Sequence, residues 1–419
     1  MRNLLTFIFF LAAVLSAYGE DDVTDSLNQR HWGYNISISP GRQTALDEYT
    51  RQWLQGKKTW TLGAEMTYQP QPDDGDDFAR DYNYPRLAAG MRYDFNHGTT
   101  MHRYPSPSWG EAREVDYHSH LGDAVSLYGS FARPFFRTRH WQMDYVMRIG
   151  FSYSSIIYNK KDNIDNEFIG SHINIFFGAA LLASWRFADE WALQGGLEFR
   201  HHSNGALRRP NKGENAVGPT IGLAYMPPVI GNRQQAQHAA PFTKKWYGSL
   251  TVGLGAKTLN EEWQRTQFRT PYGDPDYRTE HFKVFAAYSL QADVMVRYAR
   301  RWASGIGADI FYGTYWKRVR EIDEMQGNDV SHSPWSVGIA AKHEVFWHQL
   351  SLAMSLGFYL HRQMGFNAKQ VEQPYYERIG LRYHFPRLGG LFVGTNINAH
   401  KTKADLTEIV VGFPIGFNK

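Results

Sequence analysis

Trp191-Ala192-Leu193-Gln194-Gly195-Gly196-Leu197-Glu198-Phe199-Arg200-His201-His202-Ser203-Asn204 decides the fold. Side chains of an extended chain alternate between two faces. Trp191, Leu193, Leu197, Phe199, His201 and Ser203 therefore share one face, and Gln194, Glu198, Arg200, His202 and Asn204 the other. The first set is mainly apolar and suits lipid; the second is polar and suits a barrel lumen.

The same alternation recurs in stretches of about ten residues set off by Gly, Pro, Asn and Asp. It runs through 32–39, 60–69, 86–96, 126–136, 141–155, 173–187 and 216–226. After a break it returns at 246–257, 282–297, 301–315, 335–347, 348–361, 375–385, 391–400 and 406–417. The pattern predicts an all-β, transmembrane antiparallel β-barrel of about 14–16 strands, even numbers being usual for single-chain bacterial barrels. In hydrocarbon every backbone N–H and C=O must pair internally, and a closed sheet does this without an edge. A near-terminal aromatic, Phe417, fits the end of such a barrel.

Composition points the same way. The chain has 25 Tyr, 26 Phe and 13 Trp, 15% aromatic in all, yet its mean hydropathy is −0.50. No stretch after the first residues has the ~18 uninterrupted apolar residues of a membrane helix. A barrel reconciles these facts, because only alternate residues meet lipid and aromatic girdles mark both interfaces. Forty-five basic against forty-one acidic residues leave only +4, which gives no footprint for nucleic acid. Cysteine is absent, so an exported chain of this composition relies on burial and backbone pairing.

Residues 1–19 read as a cleavable signal peptide: Arg2, an apolar Leu4–Leu15 run, then Ala17-Tyr18-Gly19. No cysteine follows that could carry a lipid anchor. The expected location is integral to the outer membrane of a Gram-negative bacterium.

A weak internal repeat suggests two halves. Trp32-Gly33-Tyr34 through Arg51-Gln52 resembles Trp246-Tyr247-Gly248 through Arg265-Thr266-Gln267 in spacing. Met226 to Lys245, rich in Pro, Gln and His, reads as a connector. The expected organisation is 20–226, a connector at 227–245, and 246–419. One large barrel is the favoured reading, with two tandem eight-stranded halves as the alternative.

His201 and Ser203 stand out because they face outward at a strand end, where lipid gives way to headgroups. Serine is a weak nucleophile until a base takes its proton, and a His two residues away on one strand face is about 7 Å off at Cα, within reach. A third group usually orients the imidazole. A developing oxyanion needs donors, which Asn204 or nearby backbone N–H groups such as that of Gly205 can supply. An outward-facing pair makes sense when the substrate is itself a membrane lipid.

His201-x-Ser203-Asn204, followed by Pro210-Asn211-x-Gly213 and a strand, resembles the lipid A 3-O-deacylase (PagL) family. That resemblance implies an outer-membrane esterase that removes an ester-linked acyl chain from lipid A, with Ser203 as nucleophile and His201 as general base. It covers about thirty residues closely. The family's acid falls at Asn215, with Glu214 one residue away on the opposite face unless a bulge turns it. The family's Asn-Ala-Gly order appears here as Asn204-Gly205-Ala206, and the family barrel has about half this length. Arg208, Arg209 and Lys212, in the following loop, are candidate partners for lipid A phosphates. No cofactor and no metal are implied; the partner is outer-membrane lipid, lipid A or lipopolysaccharide.

Other readings compete. A non-catalytic porin or structural barrel is the alternative function, and an open, charge-lined lumen would favour it. Ala399-His400-Lys401-Thr402 looks like a degenerate copy, with His400 and Thr402 directed to the lumen. His118-x-His120 has metal-ligand spacing but no third ligand, so a solvated loop is the better reading.

Overall fold

The computed structural model describes residues 31–105, 114, 118–229, 241–401 and 403–416. The signal peptide, Thr402 and Phe417 lie outside them.

The chain forms two closed antiparallel barrels rather than one. The first contains β1 (Trp32–Gln43), β2 (Leu54–Tyr68), β3 (Arg86–Phe95), β6 (Ala124–Arg137), β7 (Trp141–Ser154), β8 (Ile173–Arg186), β9 (Trp191–Ser203) and β10 (Glu214–Tyr225). It closes where β1 pairs with both β2 and β10. Two short strands, β4 (Thr99–Met101) and β5 (Ser119–His120), extend β2 above the rim. The second barrel holds β11 (Lys245–Thr258), β12 (Val284–Ala299), β13 (Trp302–Gly313), β14 (His332–Trp347), β15 (Leu350–Met364), β16 (Tyr375–Phe385), β17 (Leu391–His400) and β18 (Lys403–Gly416), closed by β11 on β18. The expectation of one large barrel is thus corrected to two of eight strands. Alternation sets how many strands cross the membrane; it says nothing of which strand β1 meets.

Strand faces follow the sequence pattern. Trp191, Leu193 and Leu197 of β9 are exposed on the outer surface, while Gln194, Glu198, Arg200 and His202 are buried inside. The interior is a network of ion pairs. Arg92 meets Glu198 at 3.0 Å, Arg200 meets Glu198 at 2.8 Å and Arg148 meets Glu65 at 2.9 Å. The second lumen repeats the device with Lys342 on Asp309 at 2.7 Å and Arg378 between Asp309 and Glu408 at 3.2 and 3.3 Å. An isolated charge in such an interior is costly, so the charges stand in opposed pairs.

The strand ends differ. Turns at 138–140, 187–190, 300–301, 348–349 and 386–390 are short, the longer 69–85 segment being the exception at that end, where β10 also stops and β11 also starts. Short turns mark the periplasmic end of outer-membrane barrels, so the opposite rim, where β9 ends, is the outer one. Helix α1 (Glu48–Trp53), capped by Asp47 Oδ1 on the Thr50 N–H at 2.7 Å, lays Trp53 over the first barrel's outer mouth. There Trp53 packs with Leu54, Met101, Leu121, Phe168 and Ile169.

The barrels touch at both ends. At the short-turn end, helix α2 (Asp77–Asp81) meets the second barrel: Arg300 pairs with Asp77 at 2.8 Å and His348 with Asp76 at 2.9 Å. Trp347 packs there against Tyr82 and Phe131. At the outer end Tyr158 donates to the Arg278 carbonyl at 2.8 Å and stacks edge-on against Trp263 of helix α3 (Asn260–Gln264).

Candidate active site

β9 reaches the outer rim at Ser203 and β10 starts back at Glu214. Their unbroken antiparallel register sets Asn215 opposite His201 and Glu214 opposite His202. Neighbouring residues on a strand face opposite ways, so this pairing sorts the site into an outer and an inner set.

On the outer side, His201 Nε2 lies 2.9 Å from Ser203 Oγ, and its Nδ1 lies 2.8 Å from Asn215 Oδ1. Asn215 Nδ2 donates to the Gly213 carbonyl at 3.1 Å, which turns Oδ1 toward the imidazole. Oδ1 can only accept, so Nδ1 carries the proton and Nε2 accepts from the Ser203 hydroxyl. On the inner side, Gln43 donates to Glu214 Oε1 at 2.7 Å, and His202 Nδ1 lies 2.8 Å from Ser152 Oγ. The structure therefore brings Asn215, not Glu214, to His201. No bulge turns Glu214 outward.

Gly213 is fixed by two demands. Its φ is +76°, and a Cβ there would stand 2.6 Å from His201 Cε1. Only a residue without a side chain leaves the ring in place.

Past Ser203 the chain turns at once. The Leu207 N–H bonds to the Asn204 carbonyl at 3.2 Å, and the central Gly205 and Ala206 have φ of +62° and +70°. Two positive φ values at the central positions make this a type I′ turn. Asn211 Oδ1 accepts from the Asn204 N–H at 2.9 Å, and Asn204 Oδ1 accepts from the Arg208 N–H at 3.2 Å. Asn211 was visible in the motif, but its role as the clamp of the turn was not legible from spacing.

Three buried donors at this turn lack partners among the described residues: the N–H groups of Gly205 and Ala206, and Asn204 Nδ2. Orphan buried donors are rare in folded chains, and these three lie in the turn directly after Ser203. The Ala206 N–H was not anticipated from the sequence.

A family model described as lipid A 3-O-deacylase (PagL) matches residues 83–224, and one described as acyloxyacyl hydrolase, C-terminal domain, matches residues 246–419. The chain belongs to the lipid A 3-O-deacylase family. It is a hydrolase built as an outer-membrane barrel, the second barrel being the family's C-terminal domain. No curated relative matches. Among solved structures, the outer membrane enzyme PagL is similar at 14% identity and TM-score 0.26, over 46% of this chain and 99% of its own. The Pseudomonas putida toluene transporter TodX is similar at 9% and 0.18, over 92% and 90%. A Rhodopseudomonas blastica porin mutant gives 7% and 0.16, over 92% and 99%.

The three loop cations of this deacylase-family chain have separate fates. Arg209 donates to the Thr258 carbonyl at 3.2 Å, and burial pushes its guanidinium below the ordinary arginine range. Lys212 pairs with Asp47 at 3.3 Å and sits 4.5 Å from the Tyr49 ring centroid. Burial raises the Asp47 carboxyl, but Lys212 and the Thr50 N–H outweigh it and hold it below its usual value. Arg208 alone of the three is exposed.

In the second barrel His400 is buried, 2.9 Å from the Tyr359 hydroxyl. Glu372, His400 and Asp405 bring three ligand atoms within 4.8 Å of one another. Arg362 already pairs with Glu372 at 2.6 Å and Lys257 with Asp405, so two cations oppose a metal ion there. Around His118 and His120 the described residues offer no such triad.

Proposed function

We propose that the first barrel removes an ester-linked acyl chain from lipid A by serine catalysis at its outer rim. The observation that carries this is the continuous Ser203–His201–Asn215 hydrogen-bond chain. In this reading Ser203 Oγ attacks the ester carbonyl as His201 Nε2 takes its proton. The tetrahedral oxyanion is met by the N–H groups of Gly205 and Ala206 and by Asn204 Nδ2. Collapse breaks the bond to the sugar oxygen, which takes the proton back from the imidazolium. A water molecule, deprotonated by the same nitrogen, then frees the fatty acid and restores Ser203.

Asn215 orients the ring as a carboxylate would but brings no charge to balance the imidazolium. Arg208 is the loop cation left for a lipid A phosphate. The occupied lumen supports an enzyme over a pore, because side chains such as Arg92, Glu198 and Arg200 fill it and are almost wholly buried. Export by cleavage after about residue 19 belongs to the same proposal.

The test is mass spectrometry of lipid A after incubation with the purified full chain and with Ser203→Ala. Loss of one hydroxyacyl mass by the first and not by the second supports the reading. Unchanged lipid A with folded protein overturns it.

A further inference from the structure

The turn that carries the unpaired donors is held from outside its own barrel. Thr407, on β18, donates its hydroxyl to the Gly205 carbonyl at 2.7 Å. Thr258, the last residue of β11, gives both its N–H and its hydroxyl to the Ala206 carbonyl, at 2.8 and 2.9 Å. Arg209 returns to the Thr258 carbonyl at 3.2 Å. Gly205 fits closely: a Cβ on it would stand 2.1 Å from Thr407 Oγ1.

A peptide unit is planar and trans, so its N–H points opposite to its C=O. Fixing the Gly205 carbonyl on Thr407 therefore fixes the Ala206 N–H away from the second barrel. Fixing the Ala206 carbonyl on Thr258 fixes the Leu207 N–H, which closes the turn on Asn204. Ala206 carries a Cβ in a left-handed conformation that such residues seldom adopt, so the turn needs external restraint to hold it. Thr258 and Thr407 supply it.

We infer that the second barrel is the scaffold of the first barrel's oxyanion pocket, with Thr407 and Thr258 as positioning residues. This rests on the Ser203 reading. Pre-oriented donors act on the transition state and not on ground-state binding, so loosening the turn lowers kcat and leaves KM in place.

The experiment compares the full chain with Thr407→Val, Thr407→Ser and Thr258→Val, each checked as folded by heat-modifiable gel migration. Two rates are read: lipid A deacylation, and phosphonylation of Ser203 by a p-nitrophenyl phosphonate ester, whose phosphonyl oxygen occupies the oxyanion position. The expected result is a fall of about tenfold or more in kcat for Thr407→Val at unchanged KM, a matching fall in phosphonylation, and recovery in Thr407→Ser. Wild-type rates in a folded Thr407→Val protein overturn the inference. So does a loss that Ser does not rescue, which marks a packing role. Should Thr407→Val not fold, Gly205→Ala, which forces the turn off Thr407, must show the same split. If the wild type leaves lipid A intact, the Ser203 reading fails on that count alone, and the phosphonylation rates still decide whether the second barrel sets the turn.

Discussion

Asn215 accepts the Nδ1–H of His201 at 2.8 Å, in the position where a carboxylate would balance a protonated imidazole. Its amide is held by the Gly213 carbonyl, so the ring is oriented without help from a charge. Asn215→Asp, nearly the same size, adds that charge. It is expected to raise turnover by about tenfold or more, given that the reverse change in a serine protease triad costs ~10⁴. Asn215→Leu removes the acceptor and is expected to abolish activity. Steady-state deacylation by the two variants checks both.

Gly213 stands against the other edge of the same ring. Gly213→Ala forces a Cβ into a φ of +76° and into a place 2.6 Å from His201 Cε1. The backbone term is about 1–2 kcal/mol, which an eight-stranded barrel tolerates. The ring must move, and displacements near an ångström cost on the order of 100-fold in rate. A folded barrel with that loss is the expected outcome, and retained activity would refute the close fit.

Glu198 accepts from Arg92 at 3.0 and 3.1 Å and from Arg200 at 2.8 Å, all within the first lumen. Glu198→Ala leaves Arg92 without its carboxylate and Arg200 with only Asp94, at 3.5 Å. Breaking a buried pair costs about 3–5 kcal/mol, the penalty of the charge left behind exceeding the bond itself. Urea unfolding of the variant in lipid vesicles is expected to show a clear drop in midpoint.

The same filled interior predicts that the protein, reconstituted in a planar bilayer, gives no steady ion conductance. Discrete channel openings would return the pore reading to the front.

Arg208 and Arg209 are adjacent and are expected to behave differently. Arg208→Ala takes away an exposed cation, and its effect is expected on KM for phosphorylated lipid A, shrinking as salt rises. Arg209→Ala breaks the bond to the Thr258 carbonyl, and its effect is expected on kcat and on heat stability. Kinetics on lipid A with and without its phosphates separate the two.

Much of this was legible in the sequence, and its gaps have physical causes. Alternation in β9 fixed which side chains face lipid, because a pleated strand allows no other periodicity. It also put His201 and Ser203 on one face. Closure was not legible: the same sixteen strands serve one ring or two, and only the pairing of β1 with β10 decides. The choice between Asn215 and Glu214 turned on register, which β9 and β10 settle together. Thr258 and Thr407 carry no local signal, since each meets the Gly205–Ala206 turn across some fifty or two hundred residues of chain.

The even strand count of each barrel bears on how such a chain arises. A ring with an even number of crossings begins and ends on one side, so a copy joined behind it inherits the same up–down polarity through a link that need not cross the membrane. An odd ring would have set its copy upside down. Parity makes the eight-stranded unit a tile that can be laid twice, and it puts the rim loops of the second unit level with those of the first.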